Sequence, residues 1–383
     1  MLLASKMNIY AATVTSTGSG AWAGLNWDNG TGPNSGDNVV ITSGHTITIT
    51  AGVNPNNLTI DGTLDQNGNS LQVSGALGGT GGVLASSGSI LILEGNANFS
   101  GLTFITDATT DLTFQNAGTI TGFPGTDRNL RNLVLSRNSI CSFTANNITI
   151  AQNLTITNGT YTFNGADLNV NSNLQISGGT LDFNGNIIVV GNDATIGGTL
   201  DLNAGNSISI NGEFSGNGTL DANSAVVTLN GAINFTGTFT SNSSTNLSIS
   251  NTGAITSLPT ITNLNNFVLN RVGSTISLSG SLRCYGNCTI TNGTMDINGR
   301  TLQVDGTLSG TGTVDATGNS TLISSSAIDF STFILNSDQT TSITFQTAGT
   351  ISNLPALTDL NNLVLNRAGI TLTLSGQIGR AHV

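Results

Sequence analysis

The residues with the strongest chemical pattern are aspartates that recur behind threonines. Gly-Thr-Leu-Asp occurs at Gly179–Asp182, Gly198–Asp201 and Gly218–Asp221, at steps of 19 and 20 residues, with another copy at Gly62–Asp65. Gly293-Thr294-Met295-Asp296 and Gly312-Thr313-Val314-Asp315 repeat the step of 19. If the central Leu points inward, Thr180, Asp182, Thr199, Asp201, Thr219 and Asp221 share one outward face. Such a face is a candidate contact surface. Carboxylates stacked about 5 Å apart could share a Ca²⁺, which takes six to eight oxygen ligands. The same carboxylates repel by only about 1 kcal/mol in water, so a solvated face needs no metal. The glycine-rich nonapeptides of Ca²⁺-binding β-rolls are absent.

Other chemistry is scarce. Catalysis by a nucleophile and a histidine has His45 to draw on, in Gly44-His45-Thr46, with no Ser or Cys motif around it. The chain has one Lys, Lys6, so Lys-containing lyase sites are missing. Paired carboxylates for glycoside hydrolysis could come from the Asp ladder, but nothing in the sequence would separate their pKa values. The expectation is a chain without catalytic residues. Arg137, Arg271 and Arg367 each end a Leu-Val-Leu run. They could read an acidic sugar, but the stronger expectation is that they satisfy turn carbonyls or an Asp at a corner. Cys284 and Cys288 align, at the 134-residue offset described below, with Ile150 and Leu154. Both are inward positions flanking a turn. They can form a disulfide in an exported protein or fill the core as two thiols. Cys141 has no evident partner, and a lone C-x₃-C is weak evidence for zinc.

These residues must be positioned by a repeat. Within each short unit apolar and polar residues alternate, as in Leu200, Leu202, Ile208, Ile210 and Phe214. That is the pattern of strands with one buried face. Gly and Asn between the runs suit turns with positive φ. No apolar i, i+3, i+4 pattern persists, so no substantial helix is expected. Short strands at a 19–20 residue step make one coil of a parallel β-solenoid, stabilised by stacking on its neighbours. A β-sandwich array has no place for that step.

A longer repeat is laid over the short one. Asn132–Arg137 (NLVLSR) returns at Asn266–Arg271 and Asn362–Arg367, at offsets of 134 and 96. Leu71–Leu77 returns at Ile208–Phe214 and Leu302–Leu308, and Thr155–Thr160 returns at Thr289–Thr294. The first copy therefore carries extra short turns.

Composition narrows the function classes. Of 383 residues 49 are Gly and 8% are charged, with a formal charge of −11. A chain with 9 Lys+Arg against 20 Asp+Glu offers no phosphate-neutralising surface. Nucleic acid is therefore excluded as the expected partner. No stretch approaches the roughly 20 apolar residues of a membrane span.

Residues 1–11 (MLLASKMNIYA) read as the remnant of a secretory signal peptide, with cleavage near Ala11. Residues 378–383 (IGRAHV) read as the translation of a sequencing adapter. On that reading Arg380 and His382 are not part of the natural protein, which continues.

Residues 17–50 contain Ser19-Gly20-Ala21-Trp22, Trp27, Pro33, Gly36-Asp37-Asn38-Val39 and Gly44-His45-Thr46-Ile47. This segment resembles the N-terminal cap of exported bacterial right-handed parallel β-helix proteins, adhesin-like and of pectin-lyase-like fold. The downstream NLVLNR, ITNGT and DINGRTLQVDGTLSGTGT segments are similar to that family as well. The resemblance implies a right-handed β-helix with a cap over residues 12–50 and coils over 51–377. It also implies a secreted or surface location, with Trp22 and Trp27 covering the open first coil. The expected function is a monomeric, non-catalytic structural or adhesive rod that presents its Thr/Asn/Asp face to a polysaccharide, cell-surface glycan or other surface. The alternative is the stalk of a larger polysaccharide lyase or glycoside hydrolase.

Overall fold

The computed structural model describes residues 11–123, 128–144, 147–165, 167–347, 349–355 and 360–367. Residues 1–10 of the leader-like segment and the 378–383 tail, with Arg380 and His382, lie outside them. Among the described residues there is no helix, and none long and apolar enough to cross a membrane. The chain is a right-handed parallel β-solenoid of about 16 turns. That hand is the one favoured when a twisted strand crosses over to a parallel neighbour. The chain divides into two compact units. One comprises residues 1–172 with 178–181, the other 173–177 with 182–383.

Alternation makes the core. In Ser207–Ile210 (SISI) the second and fourth residues are buried and the others half-buried. Strand after strand repeats this, and the parallel register puts like on like. In the first unit Leu71, Leu91, Leu112, Leu133 and Leu154 occupy successive positions of one ladder. In the second unit Ile188, Ile208, Val227, Leu247, Phe267, Cys288 and Leu308 form another. Aromatic rings join in face to face: Phe143 and Phe163 stack at 4.7 Å, Phe214 and Phe235 at 4.5 Å. The long repeat is visible here. Leu71, Val73 and Leu77, their counterparts Ile208, Ile210 and Phe214, and Leu302, Val304 and Leu308 are all buried.

Corners require close backbone approach. Gly216 and Gly310 adopt φ of 118° and 123°. A Cβ at either would collide with the carbonyl of the preceding coil, Ile196 and Ile290 respectively. At these two positions glycine is needed both for its φ and for its missing side chain.

The segment expected to be a cap already contributes to the solenoid. Thr13–Thr15 pairs in parallel with Asn38–Ile41, and Gly20–Ala21 with Thr46–Thr48. Trp22 and Trp27 are buried, with ring centroids 5.7 Å apart and planes at 63°.

Of the three repeated arginines two are the most unusual core residues, and the third, Arg367, is half-buried. Arg137 and Arg271 have no exposed surface. Arg137 donates from Nη2 to Leu93 O at 2.7 Å and from Nη1 to Thr119 O at 3.2 Å. Arg271 donates to Gly231 O at 2.5 Å, Ser250 O at 3.1 Å and Gly253 O at 2.9 Å. Arg367 reaches Ser324, Ser326 and Gly349 carbonyls at 3.0, 2.7 and 2.8 Å. The farthest partners lie 40 to 44 residues back, two coils away. Arg137 and Arg367 also lie over the rings of Phe114 and Phe345. Each guanidinium is a fork that joins its own coil to the two before it. The expectation that these residues satisfy turn carbonyls holds, and for Arg137 and Arg271 a ligand-reading role is not compatible with their burial. Burial lowers the pKa of all three.

Replacing Arg271 by Met should remove a charge-assisted donor from three part-buried carbonyls, each such bond contributing about 1–3 kcal/mol. Urea unfolding of the full chain should show a loss of at least about 3 kcal/mol. The surface pair Arg283–Asp305, at 2.7 Å, is the control, since Arg283→Met should cost under about 1 kcal/mol. Equal effects from the two changes would contradict the assignment.

Candidate functional site

The Thr/Asp residues are brought together as the short repeat predicts. Thr199 pairs with Thr219 and Asp201 with Asp221, with Leu200 on Leu220 between them. The next strand continues with Thr238, Phe239 and Thr240. Leu181, Leu200 and Leu220 have no exposed surface. The threonines and aspartates, expected to face open solvent, are half-buried instead. In a sheet each outward side chain is flanked by its counterparts in neighbouring coils, which shield it.

The shielding is felt electrostatically. Burial raises the pKa of Asp201, and the neighbouring charges of Asp221 and then Asp182 add to it. Asp182 Oδ1 accepts from Asn203 Nδ2 at 2.7 Å.

The Asp of this motif also has a local structural use. Its Oδ1 accepts the amide two residues on in four copies: Asp65 from Asn67 at 2.9 Å, Asp221 from Asn223 at 3.2 Å, Asp296 from Asn298 at 2.8 Å and Asp315 from Thr317 at 3.1 Å. These are Asx turns, and they explain the Asp of these four copies without invoking a ligand.

A second polar constellation escaped the sequence reading. Asp107, Asn242 and Asp338 occupy equivalent places in Thr106–Thr110, Ser241–Thr245 and Ser337–Thr341. Asp107 accepts from the Thr109 amide and hydroxyl and, across coils, from the Ser87 amide. Asp338 repeats this with Thr340 and Gly318, and Asn242 with Ser244 and Ser224. The last Thr of each group, Thr110, Thr245 or Thr341, is buried and donates to a carbonyl of the coil before, at Ala85, Ala222 or Ala316. The signal was available: the pattern [Ser/Thr]-[Asp/Asn]-x-[Ser/Thr]-Thr recurs at offsets of 135 and 96, close to those of the arginines. Burial raises the Asp107 pKa, but the Thr109, Ser87 and Thr110 donors outweigh it and hold the carboxyl at about 2. The Thr340 hydroxyl and the Gly318 amide lead the same effect at Asp338, also to about 2.

The remaining candidates fall into structural places. Cys284 and Cys288, read as a disulfide or two thiols, are buried free thiols. Cys284 lies between Leu264 and Val304, and Cys288 between Phe267 and Leu308. Contact with Cys288 and burial push the Cys284 pKa well up. Cys141 is buried, 3.3 Å from Ser139 Oγ. His45 Nδ1 lies 2.9 Å from Ser16 Oγ, a neighbour the sequence did not suggest. That oxygen already accepts the Thr42 amide at 2.9 Å, and Ser16 is only 3% exposed. The pair ties the first coil to its turn. Among the described residues no group of three or more His, Cys, Asp or Glu is placed to hold a metal ion, and the Ca²⁺ reading of the ladder gains no support.

No family model matches the chain, and neither the curated proteins nor the solved structures searched contain a match to it.

Two opposite pH effects follow. Asp107 and Asp338 bind a proton more weakly folded than unfolded. Their contribution is therefore present above the ordinary value of 3.8 and is lost as pH falls towards 2. Asp338→Ala should lower the urea midpoint at pH 7, with the difference shrinking over that window. Asp201 binds its proton more tightly when folded, so its ionised form destabilises above pH 3.8. Asp201→Asn should raise the midpoint at pH 7, and the gain should vanish below that value. A pH-independent difference in either variant would contradict the assigned interactions.

Proposed function

We propose that this chain is a non-catalytic, exported or cell-surface repeat scaffold whose Thr/Asn/Asp face makes weak, multivalent contacts with glycans or other surfaces. The observation that carries the reading is the register of Thr199 on Thr219 on Thr238 and of Asp201 on Asp221. It repeats one pair of side chains at the spacing of neighbouring strands, about 4.8 Å. Equal contacts at equal steps suit avidity, in which linked weak contacts add. Catalysis instead needs unlike groups whose pKa values are driven apart.

The use of charge supports the same reading. Arg137, Arg271 and Arg367 serve backbone carbonyls, Asp107 and Asp338 hold turns, and Arg131 and Arg283 pair with Asp111 and Asp305. Each of these groups is engaged in holding coils together.

Changing Asp182, Asp201 and Asp221 to Asn should leave the fold intact, because an amide oxygen can still accept from the Asn203 side chain at 182 and from the Asn223 amide at 221. Adhesion of beads displaying the full chain to immobilised polysaccharide should fall stepwise as one, two and three are changed. Unchanged adhesion in the triple variant would overturn the face as the contact surface. A hydrolytic activity on a polysaccharide panel that one substitution abolishes would overturn the non-catalytic reading.

A further inference from the structure

The Thr-bearing sheet in the second unit stops at Thr238–Thr240, whose outer edge pairs with no strand among the described residues. The Thr-x-Ser/Asp pattern resumes at Thr275-Ile276-Ser277, which pairs with Thr294-Met295-Asp296. Between them runs a coil in which residues 258–262 form no strand. Pro259 in this coil has no amide hydrogen to give a ladder. The coil instead leaves a solvent-open cleft of about 410 Å³ beside the free edge. That volume falls within the roughly 300–1,000 Å³ of small-ligand sites.

The lining has a definite chemistry. Thr236, Thr238, Ser257, Thr260 and Ser279 line it, with Phe239, Leu258 and Pro259 as the apolar part; the Thr236 and Ser257 hydroxyls donate to Gly216 O and Phe235 O. Thr236, Thr238, Thr260 and Ser279 are exposed, whereas Phe239 and Pro259 are buried. Thr260 and Ser279 hydroxyls lie 3.1 Å apart, which fixes one lip against the other. The backbone adds a donor and an acceptor. Thr238 gives its amide to Gly218 O, and Thr240 O takes the Ala222 amide, both at 2.9 Å and both towards the preceding strand. Alternation then turns the peptide groups of Phe239 towards the cleft. No lining side chain is ionisable.

A ligand for this site must be uncharged, rich in groups that both donate and accept, and apolar on one side. A pyranose ring has those properties, with hydroxyls at its rim and C–H groups on its faces. An extended peptide fits less well, because a three-residue edge offers the peptide groups of one residue only. A polyanion would meet a chain of charge −11 with no cation in the cleft.

We propose that this cleft binds a short segment of a neutral polysaccharide, through the hydroxyls of Thr238, Thr260 and Ser279 and the exposed backbone of Phe239. The proposal deepens the reading above and rests on it in taking a glycan as partner. It places a discrete site where the repetitive face is interrupted. Among the described residues, Thr103–Thr106 and Ile334–Asn336 are likewise terminal strands.

The test titrates the full chain with neutral cello-, xylo-, malto- and chito-oligosaccharides of three to six units, read by calorimetry and by amide NMR shifts. At least one series should bind saturably, with shifts centred on Gly237–Phe239 and Thr260. Thr238→Val with Ser279→Ala should weaken that binding at least tenfold at unchanged circular dichroism. Asp201→Asn with Asp221→Asn should leave it unchanged while lowering bead adhesion, which separates this site from the face. No binding of any series at millimolar concentration would overturn the proposal. So would shifts that map elsewhere on the wild-type chain, a reading that does not depend on how the variants fold. Preferential binding of extended peptides at this edge would overturn it in favour of strand addition. Loss of bead adhesion alone, with oligosaccharide binding intact, would leave the cleft standing and locate the adhesive contacts on the Asp face.

Discussion

A buried backbone carbonyl must find a donor, and in this solenoid three guanidiniums meet that demand where strand pairing lapses. Arg271 bonds to carbonyls at Gly231, Ser250 and Gly253, and Arg137 and Arg367 make equivalent bonds in their own repeats. A lysine could not do the same, because its ammonium is a point donor and the guanidinium a planar fork. Burying a cation without a carboxylate is costly, and the Nε of each of the three has no partner. The cost is offset by charge-assisted bonds to several carbonyls at once. The result is a pin across successive coils in a fold that otherwise relies on nearest-neighbour stacking.

The pin belongs to a larger module. Some 25 to 30 residues before each arginine stands the Asp/Asn-x-Ser/Thr-Thr turn, clamped to the coil before it by Asp107, Asn242 or Asp338. Clamp and pin bracket the coil that carries Gly118, Gly253 or Gly349. In the second unit this is where the Thr-bearing sheet breaks off. Between modules the coils are plain, and their number can vary without disturbing the pinned corners. That accounts for long-repeat offsets of 134 and 96 residues in a chain with one structural rule. It also divides the surface into regular stretches, suited to repeated weak contact, and interruptions, where an individual site can form.

What the sequence made legible followed from periodicity. Ile208, Ile210 and Phe214 lie inside because alternation is a property of single strands. The 19–20 residue step fixed the stacking because like residues must fall on like. The arginines were half legible: their place at strand ends suggested turn carbonyls, but not that those carbonyls lie two coils away. The exposure of Thr199 and Asp201 was overestimated, since a strand read alone shows no neighbours to shield it. The clamps at Asp107 and Asp338 were missed because their signal is four polar residues around one variable position, with no hydrophobic period. The cleft beside Thr238–Thr240 could not be read at all. It depends on a sheet ending beside a coil whose inward residues, Pro259 and Ile261, still follow the pattern.

The central claim is that Arg137, Arg271 and Arg367 are immobile guanidiniums bonded to backbone carbonyls inside the coils. Nitrogen-detected NMR of the arginine side chains tests it most directly. The account predicts three guanidiniums with separately resolved Nη–H signals, slow to exchange with water and lost one at a time in Arg→Met variants. Arg300 should show the averaged, rapidly exchanging signals of a solvated side chain, as its exposure implies. If every arginine in the chain gave averaged, rapidly exchanging signals, the pins would not exist and the account would fail.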